Sequence, residues 1–371
     1  MKAVVLAGGR GGTRLLPLTV YRPKPMIPFF NRPLMEYIVQ KLAETGVDEI
    51  YVLVGYLKER IMEYFGGDGS KWGGLEIHYS DKDNVKLGTA GGATKKVARE
   101  MDEAFFVVSS DVLTNLDLKA LYDYHHEKKA LATVALSEVD DPTQYGIAII
   151  NEDGRILRFK EKPKPEEAFS NLVNAGIYVF EPEAFDLVPK GKNFDFSRDL
   201  FPRMLENDLP LYGFPFSEYW NDVGRPSSYL QAIEDVFLGR LHLPGLRTEG
   251  LKGNLEYGGG ALVTGKRCIL RKPEIRGFAV LGDEVEIGRN VKIERSVIFS
   301  GGAVIGGEGT EIKEAIIGGE NVRIGRGGVL VQPGSVIGDN TLIEDFSKIG
   351  SNVKIWVESR IGGGESIILP D

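Results

Sequence analysis

The stretch KAVVLAGGRGGTR, residues 2–14, joins a short apolar run to a glycine-rich loop that carries positive charge. The apolar run predicts a strand covered on both faces, and the glycines end it in a loop. Glycine leaves backbone N–H groups accessible, while Arg14 can bind a phosphate through two hydrogen bonds and Lys24 through a point charge. This pattern predicts a phosphate-binding loop. The alternative is a solvated loop leading into an extended connector around Pro23 and Pro25.

The glycine loop does not match two familiar nucleotide-binding motifs. A dinucleotide fingerprint G-x-G-x-x-G can begin at Gly9 and Gly11, but its last position is Arg14, where close packing of helix and strand needs glycine. A phosphate-loop match, GALVTGKR at 260–267, has Arg267 where a hydroxyl residue should hold magnesium, and no helical pattern follows. We therefore interpret 260–267 as a chance match.

Apolar runs alternate with amphipathic segments from residue 2 to about residue 237. In one such segment Leu34, Ile38 and Leu42 fall on a single helical face. The runs between these segments are apolar throughout, as in the strands of a parallel sheet that helices cover on both sides. The alternation predicts an α/β domain around a mainly parallel sheet.

The pattern changes after residue 139. The segments YGIAII (145–150) and RILRFKEKP (155–163) are predicted strands joined by the turn NEDG, which indicates an antiparallel addition to the sheet. A last helix is predicted to start near Pro226, since proline is favoured at the first helical position. We interpret His125 and His126, in an earlier helical segment, as exposed polar residues.

The last third of the chain follows a six-residue period. A glycine-rich stretch at 239–260 is the predicted linker between a first domain, 1–238, and a second domain, 261–371. A period of six with an aliphatic residue at its first position predicts a left-handed parallel β-helix whose aliphatic side chains stack inside. Residues 243–371 contain no histidine, so we expect a structural, subunit-contact module and not an acyltransferase. The periodic positions are Leu281, Ile287, Ile293, Phe299 and Ile305, and later Ile337, Ile343, Ile349, Ile355 and Ile361.

Composition narrows the class of protein. The 53 acidic and 45 basic side chains give a net charge of −8, which argues against a nucleic-acid or anionic-membrane surface. One cysteine, Cys268, excludes an internal disulfide framework and is interpreted as a small buried apolar residue. Four histidines and that cysteine predict no zinc cluster. The apolar run after Lys2 is too short for a signal peptide, and no later run predicts a membrane span, so we expect a cytoplasmic protein.

Several short motifs occur in an order that resembles the sugar-1-phosphate nucleotidyltransferase family. The resemblance covers nearly the whole chain, and the added β-helix is similar to the arrangement in mannose-1-phosphate guanylyltransferases and glucose-1-phosphate adenylyltransferases. It implies a Rossmann-like nucleotidyltransferase domain. It also implies that a sugar 1-phosphate attacks the α-phosphorus of a nucleoside triphosphate and expels pyrophosphate. The motifs are LAGGRGGTRLLPLT with RPKP, LGTAGG (87–92), SSD (109–111), YG (145–146), FKEKP (159–163), NAGIYVF (174–180) and WNDVG (220–224).

The resemblance also implies the residues of a nucleotide and metal site. Arg14 and Lys24 would bind the β- and γ-phosphates and stabilise the leaving pyrophosphate. Asp111 and Asp222 would hold Mg²⁺ as two carboxylate ligands. A helix cap for Asp111 and an ordinary turn aspartate for Asp222 are the alternatives. The nucleotide would be bound by Leu6, Ala7, Gly8, Gly9, Gly11, Gly12, Thr13, Gly88, Thr89 and Asp111.

A sugar site is implied in the same way. Lys162 would contact the sugar phosphate and Glu161 would accept hydrogen bonds from sugar hydroxyls, although the alternating charges could instead mark an exposed strand end. Gly146, Asn174 and Gly176 would complete the sugar-binding set, with amide groups that read hydroxyls. The partners implied are an NTP and a sugar 1-phosphate, together with a second copy of the chain through the β-helix.

The substrate pair stays open at this point. The GTAG turn and the segment DFSRDLFPRML resemble mannose-1-phosphate guanylyltransferases, whereas GGDGSKWG resembles thymidylyl- and uridylyl-transferring relatives. GTP with mannose 1-phosphate is the preferred pair, and glucose 1-phosphate with UTP, dTTP or ATP is the alternative. Residues 81–86 are expected to choose the base. A non-catalytic relative that binds an NDP-sugar is a further alternative.

Extra glycines interrupt both the loop and the six-residue period. The family writes the loop as Gly-Gly-x-Gly-Thr-Arg, so Gly11 and Gly12 make it one residue longer here, which is expected to shift Arg14. The doublets at 306–307, 318–319 and 327–328 coincide with steps of seven residues instead of six. Our hypothesis is that single glycines have been added to a regular frame.

Overall fold

The fold is described from a computed structural model that carries side chains. The described residues are 1–9, 13–66, 72–80, 87–246 and 260–369.

Two compact units make up the chain. The first unit consists of Met1–Arg10 and Met35–Asp222, and the second of Gly11–Leu34 and Val223–Asp371. The segment that follows the glycine loop is therefore grouped with the C-terminal half of the chain. The linker predicted at 239–260 falls largely outside the described residues, so the predicted domain bounds stay a prediction.

Helices and strands alternate up to residue 237, as the sequence pattern predicts. In chain order these elements are β1 (Lys2–Ala7), β2 (Pro28–Phe29), β3 (Arg32–Pro33), α1 (Leu34–Glu44), β4 (Glu49–Val54), α2 (Lys58–Phe65), β5 (Glu76–Ser80), α3 (Gly92–Ala98), β6 (Phe105–Ser109), β7 (Val112–Thr114), α4 (Leu118–Glu127), β8 (Ala132–Glu138), β9 (Gly146–Ile150), β10 (Ile156–Glu161), β11 (Leu172–Phe180), α5 (Phe201–Glu206), β12 (Leu211–Phe216), β13 (Trp220–Asp222) and α6 (Pro226–Phe237). Shorter turns of 3₁₀ helix span Thr13–Leu15, Lys24–Met26, Pro142–Gln144, Pro165–Glu167 and Pro182–Leu187, and a π-helical turn spans Phe196–Leu200.

The main sheet of the first unit is mixed. Its strands lie in the order β10-β9-β11-β6-β1-β4-β5, with β8 paired to β11 and β12 paired in turn to β8. The pairs of β1 with β4 and β6, and of β4 with β5, are parallel, whereas β9, β10 and β11 pair antiparallel. The predicted parallel sheet with an antiparallel addition is confirmed.

Helix faces and aromatic rings form the core of the first unit. Leu34, Ile38 and Leu42 are buried on one face of α1, as predicted. Elsewhere in this core, Phe180 stacks on Phe196 with ring centroids 5.1 Å apart. This stacking ties the π-helical turn at Phe196–Leu200 to strand β11.

One prediction about helix α4 is wrong. His125 is fully buried, and its Nδ1 shares a hydrogen bond of 2.9 Å with the Thr133 hydroxyl. His125 lies seven residues after Leu118 and four after Leu121, so the helical period places it on the buried face. His126, the next residue along the helix, is exposed as predicted.

Short parallel strands build the C-terminal part of the second unit. They are β14 (Ala261–Thr264), β15 (Ile269–Leu270), β16 (Glu274–Leu281), β17 (Glu286–Ile287), β18 (Lys292–Ile298), β19 (Val304–Ile305), β20 (Glu311–Lys313), β21 (Ile316–Ile317), β22 (Arg323–Ile324), β23 (Leu330–Val331), β24 (Val336–Ile337), β25 (Leu342–Ile343), β26 (Lys348–Ile349), β27 (Lys354–Ile355), β28 (Arg360–Ile361) and β29 (Ser366–Ile367). Each strand pairs in parallel with one about three hexapeptides later, as in the pairing of Ile343 with Ile361. Because no helix follows β14, the phosphate-loop match at 260–267 is a chance match.

The aliphatic positions of the six-residue period form the core of this parallel β-helix. Nine of the ten predicted positions belong to one buried cluster, and Phe299 is the exception, since Ile298 takes the inward position there. Phe299 is buried outside that cluster, against the ring of Tyr229 on α6. The doubled glycines coincide with longer coils, for example Ile305 pairs with Ile324 and Ile317 with Ile337.

Two smaller predictions concern Cys268 and membrane spans. Cys268 is only partly buried, so its interpretation as a buried residue is wrong in degree, and its thiol donates to the Gly282 carbonyl oxygen over 3.0 Å. Within the described residues, no helix is long and apolar enough to cross a membrane.

Candidate functional site

The glycine loop begins where β1 ends, at the carboxyl edge of the parallel strands. Gly8 is buried there, and a Cβ atom on Gly55, which follows β4, would lie 2.2 Å from the Gly8 carbonyl oxygen. The Leu6 carbonyl oxygen accepts a hydrogen bond of 3.3 Å from the Ser110 N–H. The start of the loop, Leu6 to Gly9, thus lies at the edge where open α/β sheets bind ligands. Residues 10–12, and with them Gly11 and Gly12, lie outside the described residues.

Strand pairing brings together the two segments that carry the predicted metal carboxylates. Asp111 immediately precedes β7, which pairs antiparallel with β13 so that Val112 stands opposite Asp222. The Asp222 carboxylate accepts a hydrogen bond of 3.1 Å from the Tyr145 hydroxyl. Asp111 is therefore next in sequence to the pairing partner of Asp222, although the two are far apart along the chain.

The donor set at this position suits a hard divalent cation. Both side chains are partly buried carboxylates, and Mg²⁺ is commonly held by one or two carboxylates together with substrate phosphate oxygens. The described part of the chain has no cluster of three or more His, Cys, Asp or Glu side chains that could hold a metal alone. Asp111 and Asp222 fit a site that a substrate's phosphates complete.

Gly146 and Glu161 stand opposite each other in the pairing of β9 with β10. A Cβ atom on Gly146 would lie 2.9 Å from a Glu161 carboxylate oxygen and 2.6 Å from the Phe159 ring, so glycine keeps this space open. The Lys162 amine lies 3.5 Å from the Glu161 carboxylate. Burial raises the pKa of Glu161, and the nearby Lys162 opposes that rise. The pair presents one acceptor and one cation side by side.

The Asn174 side-chain amide forms hydrogen bonds with other groups of the protein. Its Nδ2 donates to the Tyr178 hydroxyl and to the Ser197 hydroxyl, each over 3.0 Å, and its Oδ1 accepts from the Gly176 N–H over 2.9 Å. Both N–H groups of the amide are therefore used, which leaves Oδ1 as the atom with capacity to spare. Gly176 has a positive φ of 74°, a conformation that favours glycine.

The turn that carries Gly88 and Thr89 packs on residues 193–196. Gly88 has a φ of 73°, and a Cβ atom there would lie 2.5 Å from the Phe194 carbonyl oxygen. The Thr89 hydroxyl donates to Asp195 Oδ2 over 2.8 Å and accepts from the Phe196 N–H over 3.0 Å. The turn is thus built on a second segment of chain. Residues 81–86, where base choice is predicted, lie outside the described residues.

Asp195 was not singled out from the sequence as a site residue. Its Oδ1 caps the π-helical turn by accepting from the N–H groups of Ser197 and Arg198, while its Oδ2 accepts from Thr89. Ser197 in turn contacts Asn174. An aspartate directly before a helical segment is a detectable cap signal, but its bond to Thr89 joins residues 106 positions apart.

Arg14 and Lys24 belong to the second unit. Arg14 lies in the 3₁₀ turn Thr13–Leu15, is exposed, and lines an open cavity of about 770 Å³. Lys24 begins the turn Lys24–Met26 after an extended Pro23, so the two prolines frame it as the sequence indicates. The Thr13 side chain is not described. The cavity is also lined by Arg225, Arg295 and Lys354 and by the carboxylate of Glu314, so basic side chains predominate in its lining.

Comparison with known proteins identifies the family. The family model described as Nucleotidyl transferase matches residues 2–237. A UTP–glucose-1-phosphate uridylyltransferase from Synechocystis is 36% identical, with 81% of this chain and 83% of that protein covered. A mannose-1-phosphate guanylyltransferase from Mycobacterium tuberculosis is 34% identical, with 81% and 80% covered. A Bacillus anthracis structure, assigned as a glucose-1-phosphate thymidylyltransferase and solved with sucrose, has a TM-score of 0.56 at 25% identity and covers 64% of this chain and 94% of its own. The chain belongs to the nucleotidyl transferase family.

Proposed function

We propose that the protein transfers a nucleoside monophosphate from an NTP to a sugar 1-phosphate, releasing pyrophosphate and an NDP-sugar. The observation that carries this proposal is the pairing of the Asp111 and Asp222 segments beside the end of β1, in a chain of the nucleotidyl transferase family. Such a transfer needs no protein nucleophile. It needs two anions held in line and the developing charge neutralised.

Different residues bind the two substrates. Backbone N–H groups of the glycine loop bind the triphosphate, with Arg14 and Lys24 on its β- and γ-phosphates. Lys162 holds the sugar phosphate so that its oxygen can attack the α-phosphorus. Glu161 accepts hydrogen bonds from sugar hydroxyls, and the partly buried site restricts water. A bound Mg²⁺, held by Asp111 and Asp222, would neutralise phosphate charge.

GTP and mannose 1-phosphate are the proposed substrate pair, with GDP-mannose as the product. The mannose-1-phosphate guanylyltransferase from M. tuberculosis supports this pair. Glucose 1-phosphate with UTP is the second candidate, since the Synechocystis relative is a UTP–glucose-1-phosphate uridylyltransferase and is slightly more identical to this chain. A few side-chain contacts decide such choices, so related sequences can differ in substrate.

A matrix of triphosphates and sugar 1-phosphates, read by pyrophosphate release with Mg²⁺ present, tests the activity. We expect the highest kcat/KM for GTP with mannose 1-phosphate. Turnover only with UTP and glucose 1-phosphate would move the proposal to the second candidate. No release with any pair, together with tight binding of an NDP-sugar, would instead support a non-catalytic binding protein.

Substitution of Asp111 and Asp222 tests the proposed metal site. Asp111→Asn and Asp222→Asn should each lower kcat by about a hundredfold or more, because each removes a charge from a two-carboxylate site. Asp117→Asn is the matched control, since Asp117 caps helix α4 and lies outside the site. Activity in either site variant equal to that of the control would refute the assignment.

The partners and location complete the proposal. We expect a homo-oligomer formed through the β-helix, on which Phe346 and Trp356 are 73% and 53% exposed. Light scattering coupled to size-exclusion chromatography measures the state, and a monomer at all concentrations would refute it. A cytoplasmic location is also proposed, and cell fractionation tests it.

A further inference from the structure

Several side-chain contacts attach the segment after the glycine loop to the β-helix. The Lys354 amine donates to the Arg14 carbonyl oxygen over 2.7 Å. The Tyr21 hydroxyl donates to the Glu358 carboxylate over 2.5 Å, and Arg22 Nη2 lies 2.9 Å from Asp339 Oδ2. All of these residues belong to the second unit. The segment that carries Arg14 is thus held by coils more than 300 residues later.

The contact between Arg22 and Asp339 is a buried ion pair. The Asp339 side chain is fully buried and that of Arg22 is 15% exposed. Asp339 Oδ1 also accepts from the Glu320 N–H over 3.1 Å, and the Arg22 guanidinium lies 5.4 Å from the centre of the Phe299 ring. A buried charge tolerates little displacement from its partner, because the lost attraction would leave an uncompensated charge. This pair therefore fixes the segment on the β-helix.

Lys354 contacts Arg14, the predicted phosphate ligand, directly. It stands on β27, its amine is directed at the backbone of Arg14, and burial lowers its pKa. Within the described part of the chain, neither Lys354 nor Arg14 has a carboxylate within salt-bridge distance. The hydrogen bond from Lys354 to the Arg14 carbonyl oxygen constrains the backbone from which the Arg14 side chain extends.

We propose that Lys354 is a positioning residue for Arg14, so that the β-helix orients a phosphate ligand of the transfer reaction. This inference rests on the proposed function of Arg14 at the β- and γ-phosphates. A displacement of about 1 Å in a group that binds a reacting phosphate can cost about a hundredfold in rate. The β-helix then does more than supply a subunit contact, since it orients the backbone of Arg14.

Substitution of Lys354 tests the proposal. Lys354→Met keeps the aliphatic stem and removes the donor, and should lower kcat about tenfold while the KM for the sugar 1-phosphate changes less than twofold. Lys354→Arg should restore most of the rate, because it keeps a cationic donor. Lys348→Met is the matched control, since Lys348 is an exposed lysine on strand β26 of the same β-helix. A Lys354→Met rate equal to that of the control would overturn the proposal.

A double-mutant cycle separates positioning from a general structural role. If Lys354 acts through Arg14, Lys354→Met should add less than twofold to the loss caused by Arg14→Ala alone. Multiplicative losses would show that Lys354 acts independently and would overturn the proposal. Calorimetric titration with GTP and Mg²⁺ gives a readout that does not need turnover. If the wild type binds GTP without catalysis, the proposed function fails. A Lys354→Met variant that binds GTP and turns over like the wild type would separately refute positioning.

Discussion

Protonation of the buried His125 should destabilise the first unit in mild acid. The imidazole is fully buried, and burial together with the neighbouring His126 lowers its pKa from 6.5 to about 4. An unfolded chain therefore binds the proton more readily than the folded one in the interval between those values. Stability contributed by the neutral ring is fully present above about pH 6.5 and is lost as the pH falls towards 4.

The size of the effect follows from the same two values. A pKa difference of about 2.5 corresponds to about 3 kcal/mol of unfolding free energy once both states are protonated. Between about pH 7.5 and about pH 5 the expected loss is about 2 kcal/mol. The Glu181 carboxylate lies 3.4 Å from His125 Nε2 and opposes the effect if it remains charged. Burial also raises the pKa of Glu181, which weakens that opposition as the pH falls.

Urea unfolding across this pH range measures the effect. In a Trp356→Phe background the fluorescence reports the first unit alone, because Trp72 and Trp220 are the tryptophans that remain. His125→Asn should flatten the pH dependence, since its amide keeps a partner for Thr133 and does not titrate. His126→Gln, an exposed substitution one residue away, is the control. A wild type that becomes more stable on acidification would show that the attraction to Glu181 dominates and would refute the reasoning.

Three further predictions concern the nucleotide turn and the attachment of the phosphate segment. Thr89→Val removes the hydroxyl that bridges Asp195 and a backbone N–H, and should lower kcat/KM for the NTP by the equivalent of about 2 kcal/mol. Thr89→Ser keeps the hydroxyl, so equal rates in the two variants would contradict this prediction. Gly88→Ala should raise the KM for the NTP at least tenfold, because its Cβ would lie 2.5 Å from a carbonyl oxygen. Gly191→Ala is the control, since Gly191 has a similar φ but open space around it. Matching KM values in the two variants would refute the role of the Gly88 turn in nucleotide binding. Asp339→Asn should lower the unfolding free energy of the second unit by about 3 kcal/mol. Trp356 fluorescence in urea measures this in a background where Trp72 and Trp220 are replaced by Phe, and an unchanged midpoint would disprove the role of the buried pair.

The fold was predictable wherever its pattern is local. Strand β1 is an unbroken apolar run, and the buried face of α1 follows from the spacing of Leu34, Ile38 and Leu42. The β-helix was predictable because its coils repeat the same six-residue pattern. The errors concern the positions of His125 and Phe299. The spacing from Leu118 places His125 on the buried face of α4, and a corner of the β-helix turns Phe299 outward.

The candidate site was only partly predictable from the residues alone. The glycine loop with Arg14 indicated phosphate binding, because backbone N–H groups and a cation are local features. The approach of the Asp111 and Asp222 segments depended on strands β7 and β13 pairing, which no local pattern predicts. Asp195 shows the same limit, since its cap is local but its bond to Thr89 joins distant segments.

By itself the sequence determined the two structural classes, an α/β sheet and a parallel β-helix, because hydrophobic period and glycine position act over a few neighbouring residues. It also predicted that the glycine loop binds phosphate. Only the tertiary structure decided which distant segments meet: strands β7 and β13 beside Asp111 and Asp222, Thr89 and Asp195, and the Arg14 segment and the β-helix. These contacts join residues more than 100 positions apart, so they depend on how whole elements pack and not on the composition of any one of them.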